Sequence, residues 1–192
     1  MNDLHSHLIL GYHGCDISVA ERLLNGEPFV PSLNTYDWLG SGIYFWEANP
    51  IRGLQFAREV AMRGGAMTSP SVVGAVIHLG RCLDMTTSSG IALAEKAFES
   101  LERLLAAASV PLPLNRADML LRYRDCAVIE HAHGLLADKS ISVDTVRGVF
   151  IEGQPIYEGA GFYEKTHIQI AVRNPTCIKG VFRVPARYLG GL

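Results

Sequence analysis

The chain has 192 residues, 48% of them hydrophobic, enough for one domain with a substantial core. Its 17 Lys+Arg against 19 Asp+Glu give no sign of a polyanion-binding protein, although a local patch can still engage nucleic acid. Four cysteines, Cys15, Cys82, Cys126 and Cys177, lie far apart without a C-x-x-C pair, which argues against a zinc knuckle or a dense disulfide framework and for reduced thiols in the cytoplasm.

The opening MNDLHSHLILGYHG has no basic segment leading into a long apolar run. No stretch reaches the roughly 18 apolar residues of a membrane span, so a soluble cytoplasmic protein with no membrane partner is expected. His7 to Tyr12 reads as a first strand that turns at Gly14. Asp16 caps a helix running to about Asn25, where Gly26 and Pro28 stop it. A loop rich in Pro, Ser, Asn and Gly follows, then a short strand from Ile43 to Trp46. Asn49-Pro50 supplies an N-cap and a first-turn proline for a helix whose apolar stripe includes Ile51, Leu54, Phe56 and Val60.

Val72 to Leu79 is the clearest central strand, and Ile91 to Ala108 has the three- and four-residue apolar spacing of an amphipathic helix. Ala117 to Leu136 reads as mainly helical. Strands return at Thr145 to Glu152, Thr166 to Arg173 and Ile178 to Val184. Strands at both ends with helices between them predict an α+β class.

Three short segments from three predicted strands carry the candidate chemistry: Gly11-Tyr12-His13-Gly14, Gly40-Ser41-Gly42-Ile43-Tyr44-Phe45 and His167-Ile168-Gln169-Ile170. Taken singly, each has a plain structural reading: a satisfied histidine at a strand end, a core aromatic, an amide bonded to its neighbours. Together, in this order, they resemble the ADP-ribosyltransferase superfamily in its diphtheria-toxin and poly(ADP-ribose)-polymerase branch. There, Y-H-G, G-x-G-I-Y-F and a late strand beginning with Glu converge on nicotinamide adenine dinucleotide (NAD). The run Gln169-Ile-Ala-Val-Arg-Asn174-Pro-Thr-Cys-Ile178 follows the third pattern, with Gln169 where Glu usually stands. The resemblance covers both ends of the chain and not the stretch from about 85 to 140, which is expected to be a helical insertion in a single domain spanning 1–192.

The resemblance implies two packed, mainly antiparallel sheets forming a cleft for NAD, with helices around them. It implies that His13 bonds the adenosine-side ribose, that the backbone of Gly14 grips the carboxamide, and that Tyr44 stacks on the nicotinamide ring. His13, Tyr44 and Gln169 then form the catalytic core. By position in the chain and not by motif, Ser32, Asn34 and Tyr36 are expected beside the dinucleotide, and Phe56 against the other face of the ring. A glycine at 14 would let a ligand approach the main chain closely.

Nicotinamide leaves as a neutral group from a cation, so the protein's task is orientation and electrostatic support. Glutamine accepts a hydrogen bond but takes no proton and carries no charge, which predicts transfer of a single ADP-ribose without chain elongation. Glu164 and His167, just before Gln169, are candidates for the acceptor side, His167 sharing the Gln169 face of an extended strand. By the superfamily's habits, the acceptor is a protein side chain or a nucleic-acid base, the protein is a toxin or defence effector, and an inhibitor or antitoxin is a possible partner. A binding module that has lost turnover and an NAD glycohydrolase are the alternatives.

Other patterns carry less. His131 and His133 in EHAH are two apart on a helix and lack H-E-x-x-H spacing, so no metal is expected. Neither G-x-G-x-x-G after a strand nor G-K-[ST] occurs. Cys15, Arg147 and Arg173 read as packing and ordinary polar contacts.

Overall fold

The computed structural model describes residues 8–117 and 120–190. Its elements, in order, are β1 (Leu8–Asp16), α1 (Ile17–Leu24), β2 (Ile43–Glu47), α2 (Pro50–Met62), β3 (Pro70–His78), β4 (Cys82–Asp84), α3 (Ser88–Ala107), α4 (Tyr123–Ala137), β5 (Thr145–Phe150), β6 (His167–Val172) and β7 (Ile178–Arg183). The class is α+β.

Local signals set the helix starts. Asp16 accepts from the Ser18 backbone N–H ahead of α1, and Asn49 accepts from Arg52 N–H ahead of α2, with Pro50 in the first turn. Thr87 caps α3 through Gly90 N–H. The expected helix from Ala117 begins only at Tyr123. Asn115 takes over the start, its side-chain oxygen accepting from Arg124 N–H, while Arg124 Nε donates to Pro113 O. Of the start of β1, His7 lies outside the described residues.

The strands form one hydrogen-bonded sheet in the order β4-β5-β6-β2-β1-β3-β7. This corrects the expected two packed sheets, which are joined here into one. The correction has a simple physical basis: β1 and β2 pair at only Gly11↔Glu47 and Tyr12↔Trp46, a narrow seam that keeps the sheet continuous. On either side of the seam, Ile43, Phe45, Ile170 and Val172 pack into one core with Ala75, Ile77 and Leu79. Gly11 sits between the two groups, where a Cβ would press on both Ile77 and Phe45. All pairings are antiparallel except β4 with β5, and β4 was not anticipated.

Helix α1 packs Ala20 and Leu23 against Val73 of β3. Helices α3 and α4 pack on each other through Ala97, Leu101, Val128 and Ala132. They reach the sheet where Ile129 meets Leu83, Val146 and Ala171. No helix of the described residues is long and apolar enough to cross a membrane.

Candidate functional site

Beyond Tyr12 the strands β1 and β2 no longer pair, although β1 continues to Asp16. A cleft of about 460 Å³ opens there, lined by residues of β1, β2, β5, β6, α2 and the loop before β2. His13, Gly14, Ser32, Asn34, Tyr36, Tyr44, Phe56 and Gln169 all line it. The sequence-derived candidates from widely separated segments therefore meet around one cavity.

His13 bridges the splayed strands. Its Nδ1 lies 2.9 Å from Tyr44 O. A carbonyl only accepts, so Nδ1 carries the proton and Nε2 is the ring's acceptor. Burial holds the imidazole below its ordinary pKa, with the Tyr44 carbonyl bond opposing, so the ring is neutral near pH 7. An edge contact with Phe29 and a tilted one with Phe45, 5.4 and 5.7 Å away between ring centres, fix its plane.

Tyr44 is locked by its hydroxyl, which donates to Gly40 O at 2.7 Å and accepts from Leu39 N–H at 3.1 Å. Gly40 has φ +77°, a left-handed conformation that favours glycine. Glu130 of α4 accepts from Ser41 N–H, and Arg173 Nη1 donates to Ser41 Oγ at 2.9 Å and to Glu130 at 3.1 Å. The Gly-Ser-Gly turn is thereby clamped from both sides. Arg173 acts in that clamp, and Arg147 pairs with Glu47 and Asp84 away from the cleft.

Gly14, which lines the cleft, also has a packing reason to be glycine. A Cβ there would overlap the Gly53 carbonyl oxygen, so the space is taken by the backbone of α2 lying directly on β1. Phe56, a turn further along α2, packs on Trp46 with ring centres 4.8 Å apart. Ser32 pairs its backbone with Gly42, and Asn34 Nδ2 donates to Ser32 Oγ at 2.8 Å. These contacts hold the rim loop against β2.

Glu164 and His167 do not line the cleft. Glu164 is exposed and accepts from Gln154 N–H within the loop before β6. His167 shares the strand face of Gln169, yet it is buried beside Phe150 and Trp46, whose ring centres lie 5.5 and 6.2 Å away. Its Nδ1 donates to Lys165 O, and burial lowers its pKa.

Several lining residues were not singled out from sequence. Trp38 Nε1 donates to Gln169 Oε1 at 2.6 Å. Asp37 lines the rim, and burial raises its carboxyl pKa against the opposing effect of Ser32 and Asn34. At the inner end, Arg52 is only 5% exposed, and its Nη2 bonds Glu152 at 2.7 Å and Glu59 at 3.3 Å. Lys165 lies 2.9 Å from Glu59 and 3.7 Å from Glu152, which balances two carboxylates with two cations. Arg52 Nε and Nη1 and Trp46 Nε1 are buried without a hydrogen-bond partner. A buried donor left unmade costs about 1–3 kcal/mol, so these groups, sealed from solvent beside the cleft, are a local cost within the packing of its polar end.

Chemically, the cleft offers aromatic surfaces for a flat ring, a neutral histidine, an oriented amide and a charge-balanced polar end. Among the described residues no group of three or more His, Cys, Asp or Glu could hold a metal ion. His131 Nε2 instead bonds Ser100 Oγ of α3 at 3.0 Å.

No family model matches the chain, and no solved structure matches it. An uncharacterized protein of Methanocaldococcus jannaschii is 24% identical over 188 aligned positions, covering 88% of this chain and 83% of that protein. The likeness extends over most of both chains and assigns no activity to either.

Proposed function

We propose that the cleft binds NAD and that the protein transfers a single ADP-ribose from it to a macromolecular acceptor, a protein side chain or a nucleic-acid base. The observation that carries this reading is the convergence of His13, Tyr44 and Gln169 on one cavity with the five other residues assigned to the dinucleotide. An aromatic-walled cleft of this size suits a nicotinamide ring and its ribose. The bond to be broken joins an anomeric carbon to a leaving group that departs neutral, so no general acid is required. Orientation of the ribose by Gln169 and of the ring by Tyr44 supplies the catalysis. His13, neutral and held by the Tyr44 carbonyl, offers Nε2 to a ribose hydroxyl. Gln169 takes no proton, so the acceptor loses its own to another group or to water, and transfer stops at one unit. A toxin or defence role, in the cytoplasm and under an inhibitor's control, depends on that transfer.

A second reading is favoured by one observation: the Gln169 oxygen is already engaged by Trp38. A cleft whose key acceptor is occupied suits a non-catalytic module that holds NAD or ADP-ribose.

The test is incubation of purified protein with labelled NAD and a whole-cell lysate, followed by protease or nuclease, with a folded Tyr44→Ala variant as control. Label removed by protease identifies a protein acceptor, and label removed by nuclease a nucleic acid. Long polymers would refute single transfer. Free nicotinamide without labelled macromolecule indicates a glycohydrolase, and binding with NAD left intact indicates the module.

A further inference from the structure

Gly148 of β5 and Gln169 of β6 are directly opposed across the strand pair. Because position 148 has no side chain, the Trp38 ring lies over it, and a Cβ there would come within 2.6 Å of the indole. From this seat Trp38 reaches across to Gln169. Phe150 packs on the indole with ring centres 5.2 Å apart, and the Arg122 guanidinium lies 5.7 Å from its centre. The ring is therefore held on several sides before any ligand arrives.

An indole N–H can only donate, so its partner must be the amide oxygen and the orientation of the Gln169 amide is determined. The oxygen is then turned toward Trp38, and the NH2 group is the part of Gln169 without a protein partner, facing the cleft that both residues line. We infer that Trp38 is a positioning residue that fixes Gln169 as a hydrogen-bond donor toward the ligand, so that the bound molecule meets it with an acceptor oxygen. A glutamate at 169 would accept from Trp38 with one oxygen and present the other as a second acceptor. Glutamine reverses the polarity of that contact. The ligand's identity as NAD rests on the function proposed above, whereas the orientation of the amide does not.

The chain contains two tryptophans, so a ¹⁵N-labelled sample gives two indole N–H signals, assigned with Trp38→Phe. In free protein the Trp38 signal should exchange slowly with solvent and speed up by about tenfold in Gln169→Leu, the effect of losing one net hydrogen bond. On saturation with NAD it should keep its shift while the Gln169 side-chain amide pair moves. An indole signal indifferent to Gln169→Leu overturns the inference, with or without NAD. So does a Trp38 signal that moves to its solvent-exposed position with NAD while the amide pair stays still, because the oxygen would then have passed to the ligand. If NAD moves no cleft signal, the dinucleotide reading falls, and the comparison in free protein still decides the orientation. Should Gln169→Leu fail to fold, Gly148→Ala pushes the ring from its seat and must produce the same faster exchange, or the inference fails.

Discussion

Arg147 and Arg52 each hold carboxylates from distant parts of the chain, and they differ in how many of their own donors are used. Arg147 spends its whole fork: Nε and Nη2 bond Glu47 at 2.6 and 3.0 Å, while Nη1 bonds Asp84 at 3.1 Å and Thr86 at 3.2 Å. It ties β2, β4 and β5 together on the far side from the cleft. Arg52, more deeply buried, bonds through Nη2 alone and keeps Nε and Nη1 idle beside the cavity. A fully used guanidinium is a staple. One held in place by a single nitrogen keeps donors in reserve, which a ligand reaches only when the packing over them opens.

That contrast can be broken most decisively at Arg147. Arg147→Ala should cost about 3 kcal/mol in a urea titration, because it strips a partner from the buried Asp84, and should leave cleft binding intact if the protein remains folded. A loss below about 1 kcal/mol would mean that the network is not a staple. At Arg52 the pattern should invert. Arg52→Met should cost less stability, since Lys165 still offsets one of the two carboxylates and Glu59 and Glu152 are less deeply buried than Asp84, but should weaken NAD binding by up to about a hundredfold in calorimetry. Equal stability losses at the two sites would erase the distinction.

His133 sharpens the comparison at an intermediate position. Its Nε2 is buried without a partner, and burial, helped by Arg173 and opposed by Glu130, pushes its pKa from 6.5 down to about 4. The unfolded chain then binds more protons than the folded one between those values. The stability this group contributes is present above pH 6.5 and is lost as pH falls through about 4. The expected loss is on the order of 2 kcal/mol, and His133→Leu should flatten the melting-temperature profile in that window. His13 and His167, also lowered by burial, act in the same direction and leave some slope behind. The smallest effect belongs to Glu164→Ala, which should change stability by less than about 0.5 kcal/mol and leave transfer unchanged. Loss of transfer with NAD binding retained would put Glu164 on the acceptor side.

What could be read from sequence follows the range of the interactions involved. Asp16 and Asn49 act within a few residues of their own position, so their caps were legible. The short strand β4 was not, because its three residues gain their identity from β5, far along the chain. Sheet continuity was hidden for the same reason, resting on two residue pairs between β1 and β2. Within the site, His13, Tyr44 and Gln169 stood out through an ordered set of motifs. Trp38, Arg52, Glu59 and Glu152 look like ordinary loop and helix residues until the fold assembles them. Strand alternation placed His167 on the face of Gln169, but could not reveal that Phe150 and Trp46 bury it.

The contact between Trp38 and Gln169 joins residues 131 positions apart. By contrast, β1 finds its long ladder with β3 much nearer along the chain. Closing the longer loop costs more chain entropy and depends on strands near the C-terminal end. During synthesis, one wall of the cleft can form while the other is still in the ribosome. The cleft becomes whole only when β6 docks beside β2, so an unfinished chain has no complete pocket, and ligand binding reports completed folding.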